Sequence, residues 1–562
     1  MRTLSYVSGS SSHPLIGETI GNLFDRSAEK WSEREALVVR QQNVRYTYAE
    51  LKQRVDALAM GLLKLGLQPG DRIGIWSPNN TEWVLLQFAS AKIGLILVCI
   101  NPAYRSYELS YALKKVGCKA LVMTPRFRST DYVKMMHELA PELERDEIGA
   151  LLAVGLPDLR YVILIGDERS KGMIGFDEVC TLGGAAERTR MEELAGTLQF
   201  DDPINIQFTS GTTGSPKGAT LTHHNLLNNG FFVGEAMRMS EQDRLCIPVP
   251  LYHCFGLTMS NLNCIIHGST MVFPSEWFDP LAVLETVEAE RCTAIQGVPA
   301  MFIAELEHPE FKRFNLKSLR TGIMAGAPCP IEVMRRCVEQ MNLREITIAY
   351  GMTETSPVSF QSAVDDPMER RVSTVGRIQP HIEVKLIDSN GHVVPRGTAG
   401  EILTRGYCVM LGYWGDPQLT SEAVDAAGWM HTGDMGVIDE EGFCNIVGRI
   451  KDMVIRGGEN IYPREIEEFL YSHPAVESVQ VFGVPDPKYG EVLCAWIKRR
   501  TGTTIDEEGI KSYCKERIAH YKVPRYVMFV EDFPMTVTGK AQKYLMRKQV
   551  MEKLGLAAQE TA

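Results

Sequence analysis

The sequence predicts an α/β protein with a large N-terminal domain, residues 1–450, and a small α+β C-terminal domain, residues 451–562. Three observations support this. Helical and strand patterns alternate through the first 350 residues, and short strands with glycine turns follow from about 375 to 450. A helix, strands and another helix then complete the chain. We therefore expect two α/β-layered subdomains and one small β-rich subdomain before the C-terminal domain.

The first long helix is predicted at residues 47–67, where apolar residues recur at helical spacing and Thr47 is placed to cap the N-terminus. The stretches "DRIGIWSP" and "ALVMTP" are typical of short buried strands. The most apolar stretch, residues 84–100, is interrupted by Gln87 and Lys92 and is shorter than the roughly 20 residues of a membrane span. We expect a buried helix and then a strand there, and no transmembrane segment.

The composition is that of an ordinary globular protein, with 44% hydrophobic and 23% charged residues. The formal net charge of −11 argues against bulk binding of nucleic acid, which needs a basic surface. Thirteen cysteines without a C-x-x-C pair favour reduced thiols over disulfides or structural zinc. The N-terminus has no apolar signal-peptide core, but it is serine-rich and free of acidic residues before Glu18. We expect a cytoplasmic protein, with the mitochondrial matrix open for a eukaryotic one.

The loop "FTSGTTGSPKG", residues 208–218, is rich in glycine and hydroxyl side chains around the single cation Lys217. It lies between a predicted strand, residues 203–208, and a predicted helix start, residues 222–232. Successive backbone N–H groups in such a loop can bind an anion. The spacing does not match a Walker A loop. Spacing alone leaves a phosphate cradle and a plain flexible loop both open.

Four further motifs follow in order: "YGMTET" (350–355), "TGD" (432–434), "GRIKD" (448–452) and "PMTVTGK" (534–540). With the glycine-rich loop, this series resembles that of the adenylate-forming, or AMP-binding, superfamily, and most of all its medium- and long-chain fatty acyl-CoA synthetases. The resemblance covers roughly residues 20–550. It implies that the chain activates a carboxylic acid with ATP to an acyl adenylate, releases pyrophosphate, and transfers the acyl group to coenzyme A.

The resemblance assigns the ATP phosphates to the loop and to the motif at 350–355. In the latter, Tyr350 and Gly351 would border adenine, Thr353 would contact the α-phosphate, and Glu354 would bind Mg²⁺. A single glutamate suffices because magnesium prefers few carboxylates plus phosphate oxygens and water. The loop residues assigned to the phosphates are Thr209, Ser210, Gly211, Thr212, Thr213, Gly214, Ser215, Lys217 and Gly218.

The same resemblance assigns residues to the nucleoside and to the mobile C-terminal domain. Asp434 would accept both ribose hydroxyls, supported by Arg449, and the small residues Ala325, Gly326 and Ala327 would form the adenine and carboxylate wall. Lys540 is the predicted catalytic lysine, which contacts the reacting carboxylate and the α-phosphate. Lys451 lies at the position of the family's hinge.

The stretch "PLYHCFGLTMSNL", residues 250–262, resembles the border of the family's acyl tunnel. His253 and Phe255 are the predicted substrate-binding residues, with Gly326 and Gly351 beside the carboxylate. A structural role for His253 stays open. No aspartate is present in this stretch to hold an amino group, which disfavours an amino-acid substrate.

Coenzyme A is the expected acceptor, and Lys498, Arg499 and Arg500 are suited to its phosphates. The alternatives are a carrier protein or another acceptor, and a non-catalytic nucleotide-binding protein that kept the fold. The sequence also leaves open whether the protein forms a homodimer.

Overall fold

The computed structural model describes residues 3–209, 216–456, 459–515, 517–536 and 541–556. Its strands form two large mixed sheets, one antiparallel sheet and a smaller C-terminal sheet, with one additional two-stranded ribbon, Arg126–Phe127 and Thr130–Asp131. The helices are Ile20–Lys30, Tyr48–Lys64, Thr81–Lys92, Ser106–Val116, Tyr132–Leu139, Phe176–Leu182, Ala185–Thr197, His223–Met237, Cys254–Gly256, Asn263–His267, Pro280–Ala289, Pro299–Leu306, Ile331–Gln340, Met368–Ser373, Pro417–Ala423, Pro463–Tyr471, Glu507–Lys515 and Lys543–Leu554.

The first large sheet has eight strands, of which the first six in spatial order are parallel, while the seventh pairs antiparallel with the sixth and the eighth pairs antiparallel with the seventh. Parallel pairing needs helical crossovers, which agrees with the alternation of helical and strand patterns in the sequence. In spatial order the strands are Ile174–Gly175, Tyr161–Leu164, Cys118–Met123, Arg72–Trp76, Ile96–Cys99, Pro203–Thr209, Lys217–Thr222 and Gly412–Tyr413.

The second large sheet has nine strands, with six parallel strands at its centre and antiparallel strands at both edges. In spatial order the strands are Arg377–Ile378, Val358–Gln361, Glu345–Gly351, Thr321–Ala325, Ala294–Gly297, Arg244–Cys246, Thr270–Phe273, Glu35–Val39 and Val44–Thr47.

The predicted β-rich region is an antiparallel sheet. The sheet also includes the N-terminal strand Tyr6–Ser8, which the sequence did not predict. The other strands are Ile382–Ile387, Gly400–Gly406, Met430–Ile438 and Cys444–Arg449. The C-terminal sheet comprises Val454–Arg456, Glu459–Ile461, Val476–Asp486, Gly490–Arg499 and Tyr526–Phe529. The position of the domain boundary near Lys451 stays a prediction.

The predicted helix at 47–67 is confirmed as Tyr48–Lys64. The Thr47 hydroxyl accepts a hydrogen bond from the Glu50 N–H at 3.2 Å, and the Glu50 carboxylate accepts one from the Thr47 N–H at 2.8 Å. This capping box satisfies two N–H groups that the helix leaves unpaired.

The apolar stretch at 84–100 is the buried helix Thr81–Lys92 followed by the strand Ile96–Cys99, as predicted. Both polar residues that interrupt it have partners. The ammonium group of Lys92 lies 2.6 Å from Asp25 and also pairs with Asp56, and the Gln87 amide donates to the Leu257 carbonyl at 3.1 Å. None of the described helices combines the length and apolarity that crossing a membrane requires.

One cluster of buried apolar side chains includes residues of both large sheets and of several helices, among them Tyr48–Lys64, Thr81–Lys92 and His223–Met237. All thirteen cysteines are free thiols in this structure, and all except Cys180 are buried. Predicted site residues, including Thr209, Lys217 and Gly351, lie at the ends of strands in these two sheets.

Candidate active site

The base of the glycine-rich loop is a two-stranded hairpin. Pro203–Thr209 pairs antiparallel with Lys217–Thr222, and Thr209 and Lys217 are partners in register. The hairpin therefore brings the first and last predicted phosphate-binding side chains to one place. Gly218 follows in the returning strand, where a Cβ atom would lie 3.1 Å from Ile206. The predicted residues Ser210, Gly211, Thr212, Thr213, Gly214 and Ser215 lie outside the described residues.

Glu354 lies in the short 3-10 turn Thr353–Thr355, just after the strand Glu345–Gly351, and is 6% exposed. Its Oε1 accepts hydrogen bonds from the Tyr413 hydroxyl at 2.9 Å and the Thr209 hydroxyl at 3.3 Å. Over the described part of the chain, no cation pairs with this carboxylate and no donor reaches its Oε2. A buried carboxylate with neutral donors on one oxygen fits a magnesium ligand, because the metal would supply the missing positive charge.

Tyr413 is a residue of this site that no sequence motif predicted. It contacts Glu354 across 59 residues, and a tyrosine between a glycine and a tryptophan has no spacing that predicts such a contact. Its ring centre also lies 5.0 Å from the ammonium nitrogen of Lys217, within range of a cation–π interaction. Burial and then the charge of Glu354 raise the pKa of the Tyr413 phenol, so it stays protonated and donates.

Asp434 is held on both of its carboxylate oxygens. The Tyr350 hydroxyl donates to Oδ2 at 2.7 Å, and Nε of Arg449 lies 3.2 Å from Oδ1. Asp434 and Arg449 are register partners on neighbouring antiparallel strands, so the backbone pairing itself juxtaposes them. Burial, with the nearby charge of Asp434, raises the pKa of Tyr350 well above its usual value. The two oxygens of a carboxylate held in a fixed orientation are suited to accept two vicinal hydroxyl groups.

The small residues of the predicted adenine wall follow the strand Thr321–Ala325, which runs parallel to Glu345–Gly351. Ala325 is in register with Ala349, so the wall and Tyr350 lie at the same carboxyl edge of the sheet. Gly326 has φ +83°, a left-handed conformation that favours glycine, and Ala327 continues the turn. A Cβ atom on Gly351 would lie 1.7 Å from the Pro357 carbonyl oxygen, so a side chain is excluded there.

The predicted acyl residues begin the short helix Cys254–Gly256. His253 is its N-terminal cap, with Nδ1 accepting the Phe255 N–H at 3.3 Å, and Phe255 is buried. The Cys254 thiol donates to the Gln207 side chain at 2.9 Å, which ties this helix to the strand that leads into the phosphate loop. A π-helical turn, Leu257–Leu262, follows and was not predicted. π-helical turns occur frequently at functional sites.

The C-terminal residues are only partly described. Lys540 lies outside the described residues, and Lys451 is exposed in the turn Ile450–Asp452. Among the three cations considered for coenzyme A, Lys498 lies 3.1 Å from Glu477, Arg499 lies over the Phe529 ring, and Arg500 lies 3.6 Å from Glu307.

Comparison with known proteins identifies the family of the chain. Residues 24–414 match the model of the AMP-binding enzyme family, and residues 465–540 match the AMP-binding enzyme C-terminal domain. The chain is 48% identical to the putative acyl-CoA synthetase YngI of Bacillus subtilis (strain 168), over 97% of this chain and 100% of that protein. It is 46% identical to the mitochondrial medium-chain acyl-CoA ligase ACSF2 of Danio rerio, over 99% and 92% of the two chains.

Among solved structures, ATP-bound MatB from Rhodopseudomonas palustris superimposes with a TM-score of 0.77 at 29% identity, over 95% of this chain and 99% of that one. The predicted fold, a large N-terminal and a small C-terminal domain with mixed α/β sheets, is thereby confirmed. The chain belongs to the AMP-binding enzyme family.

Proposed function

We propose that this protein is an ATP-dependent acyl-CoA ligase. A medium- or long-chain fatty acid is converted to its acyl adenylate with release of pyrophosphate, and the acyl group is then transferred to the thiol of coenzyme A with release of AMP. The names of the Bacillus subtilis and Danio rerio relatives support this reaction, and the second favours medium-chain acids.

The observation that carries the proposal is the pair of buried carboxylates, Glu354 just after the strand Glu345–Gly351 and Asp434 within the strand Met430–Ile438. Asp434 is oriented by Tyr350 and Arg449, whereas Glu354 is hydrogen-bonded only by neutral groups among the described residues. The first arrangement suits ribose hydroxyls. The second suits a magnesium ion, which would neutralise phosphate charge when bound. Binding of a nucleoside triphosphate with its magnesium ion would use both carboxylates.

The chemical difficulty of the first step is that a carboxylate must approach a phosphate of the same charge. Two unit charges 4 Å apart repel by about 4 kcal/mol at an effective dielectric near 20. Lys217, at the base of the phosphate loop, and Lys540 are the proposed cations that offset this repulsion and orient the two reactants. Thr353, buried beside Glu354, supplies a hydroxyl for the α-phosphate.

The acyl chain is proposed to enter beside His253 and the buried side chain of Phe255, followed by apolar residues of the π-helical turn. The carboxylate would then lie near Gly326 and Gly351, where the absence of side chains lets the backbone approach it. A reducing compartment, either the cytoplasm or the mitochondrial matrix, is supported by the thirteen free cysteines.

The test is pyrophosphate release from Mg-ATP with straight-chain acids of increasing length, with and without coenzyme A, together with mass detection of the thioester. Acid-dependent pyrophosphate with an acyl-CoA product is the expected result. Pyrophosphate without thioester would keep the adenylation step and replace coenzyme A by a carrier protein or another acceptor. No pyrophosphate with any acid would overturn the proposal.

A further inference from the structure

A short segment, residues 408–414, is bonded through its backbone to the turn that carries Glu354. The Met410 N–H donates to the Glu354 carbonyl at 2.9 Å, and the Ser356 hydroxyl donates to the Cys408 carbonyl at 2.6 Å. The segment and the turn therefore form one hydrogen-bonded unit, although they are distant in sequence.

The same segment is bonded to the strand that leaves the phosphate loop. The Leu411 N–H donates to the Thr220 carbonyl at 3.0 Å, and the Trp414 N–H donates to the Gly218 carbonyl at 2.8 Å. Between them, Tyr413 is in register with Ala219 as part of the edge strand of the sheet. Residues 408–414 thus connect the proposed metal-binding turn with the end of the proposed phosphate cradle.

The Tyr413 side chain extends this connection to the functional groups themselves. It is 8% exposed, its hydroxyl donates to Oε1 of Glu354 at 2.9 Å, and its ring faces the ammonium group of Lys217 at 5.0 Å. The backbone of Tyr413 is anchored as well, since its N–H donates to the Thr420 hydroxyl at 2.9 Å. Hydrogen bonds therefore hold both the backbone and the side chain of Tyr413.

We propose that Tyr413 is a positioning residue that orients the Glu354 carboxylate toward the metal and sets its distance from Lys217. This inference rests on the proposed function, because it assigns MgATP to the same site. The hydroxyl of Tyr413 and that of Thr209 both occupy Oε1. Oε2 is thereby turned away from these donors and is the oxygen presented to the metal.

The aromatic ring has a second role in this arrangement. A lysine that faces a ring is restrained without being neutralised, because the attraction is to the ring quadrupole and forms no ion pair. The ring contact therefore leaves Lys217 available to phosphate oxygens and Glu354 available to the metal. A carboxylate in the place of Tyr413 would pair with Lys217 and repel Glu354.

The test compares Tyr413→Phe, which removes only the hydroxyl, with wild type in two binding measurements by calorimetry: MgATP, and AMP in the presence of EDTA. Tyr161→Phe is the matched control, because that hydroxyl also donates to a partner, the Leu65 carbonyl at 2.6 Å, but in another part of the sheet. Because neither measurement requires turnover, both can be read even if no acid proves to be a substrate.

We expect Tyr413→Phe to weaken MgATP binding about tenfold, the loss typical of one hydrogen bond to a charged group, and to leave AMP binding within about twofold of wild type. In a Glu354→Gln background the same substitution should cost nearly nothing, since Tyr413 acts through that carboxylate. The affinity of Mn²⁺ for the ATP complex, measured by electron paramagnetic resonance, should fall in parallel.

Three results would overturn the inference. MgATP binding of Tyr413→Phe could equal that of wild type, the loss could be the same for AMP as for MgATP, or it could persist undiminished in the Glu354→Gln background. The last two would identify Tyr413 as a packing residue only. Wild-type protein that binds MgATP but releases no pyrophosphate would refute the proposed function and leave the role of Tyr413 intact.

Discussion

The Tyr350 hydroxyl donates a 2.7 Å hydrogen bond to one oxygen of Asp434, while Arg449 lies 3.2 Å from the other. The carboxylate is therefore oriented before any ligand arrives. Such preorganisation reduces the entropy lost when a nucleotide binds.

We expect Asp434→Ala to raise the KM for ATP by about tenfold to a hundredfold, because two hydrogen bonds between the ribose hydroxyls and a charged acceptor are lost. Tyr350→Phe keeps the ring and removes one orienting bond, so its effect on the KM should be smaller, about threefold to tenfold. Steady-state kinetics at saturating fatty acid measures both. If Asp434→Ala kept the wild-type KM for ATP, the ribose assignment would be wrong.

Lys540→Ala is expected to separate the two half-reactions. If this lysine offsets the repulsion between carboxylate and α-phosphate, its removal slows adenylate formation by about 10²- to 10³-fold. Thioester formation from supplied acyl adenylate should stay close to that of wild type. Exchange of labelled pyrophosphate into ATP measures the first step, and mass detection of acyl-CoA the second. Lys543→Ala, three residues away and paired with Glu467 at 2.7 Å, is the control.

Local sequence predicted those parts of the fold that depend on neighbouring residues. Thr47 and Glu50 lie three residues apart, so their capping box could be anticipated, as could the buried helix and strand of residues 84–100. The N-terminal strand Tyr6–Ser8 pairs with residues almost 380 positions later. No hydrophobic periodicity or turn motif in the local sequence predicts such a pairing, because it depends on the tertiary packing of distant segments.

The residues of the candidate site likewise fall into those that local sequence predicted and one that it did not. Lys217, Tyr350, Glu354 and Asp434 were found because each belongs to a short motif with a family resemblance. Tyr413 was missed because its importance arises only when the edge strand folds against the hairpin of the phosphate loop. Motifs therefore identified Asp434 together with the Tyr350 and Arg449 that orient it, whereas the orienting contact of Tyr413 with Glu354 depends on long-range packing.

The contact between Glu307 and Arg500 provides a test of how coenzyme A is bound. Arg500 lies on the C-terminal side of the chain, 3.6 Å from Glu307, and both side chains are more than one-third exposed. If Arg500 binds a phosphate of coenzyme A, Arg500→Glu should raise the KM for coenzyme A at least severalfold, since a surface ion pair is worth at most about 1 kcal/mol and a charge reversal adds repulsion. Acid-dependent pyrophosphate release should be unchanged.

Glu307→Gln is the matched variant for that experiment. It removes the competing carboxylate and leaves the cation in place, so the KM for coenzyme A should fall or stay constant. An increase in both variants would mean that the pair serves only to hold the two parts of the protein together. An unchanged KM in Arg500→Glu would remove Arg500 from the phosphate assignment.

His223 is expected to make the free energy of unfolding depend on pH. This histidine begins the helix His223–Met237, is fully buried, and accepts the Ile20 N–H at Nδ1 over 3.0 Å. Nδ1 must be unprotonated to accept, and Nε2 has no hydrogen-bond partner among the described residues. Burial lowers the pKa of His223 to about 3, against 6.5 for an ordinary histidine. Between these two values the unfolded chain binds a proton that the folded chain does not.

The free energy of unfolding should therefore fall as the pH falls below about 6.5, and the contribution of His223 should amount to a loss of about 2 kcal/mol between pH 7 and pH 5. His223→Asn retains an acceptor for Ile20 but no titrating group, so it should remove this part of the acid sensitivity. Urea unfolding at both pH values measures the difference, with the exposed His392→Asn as the control. If wild type and His223→Asn lost the same free energy between pH 7 and pH 5, His223 would have to bind a proton as readily in the folded protein as in the unfolded chain, and it would not be the neutral acceptor for Ile20 at pH 5.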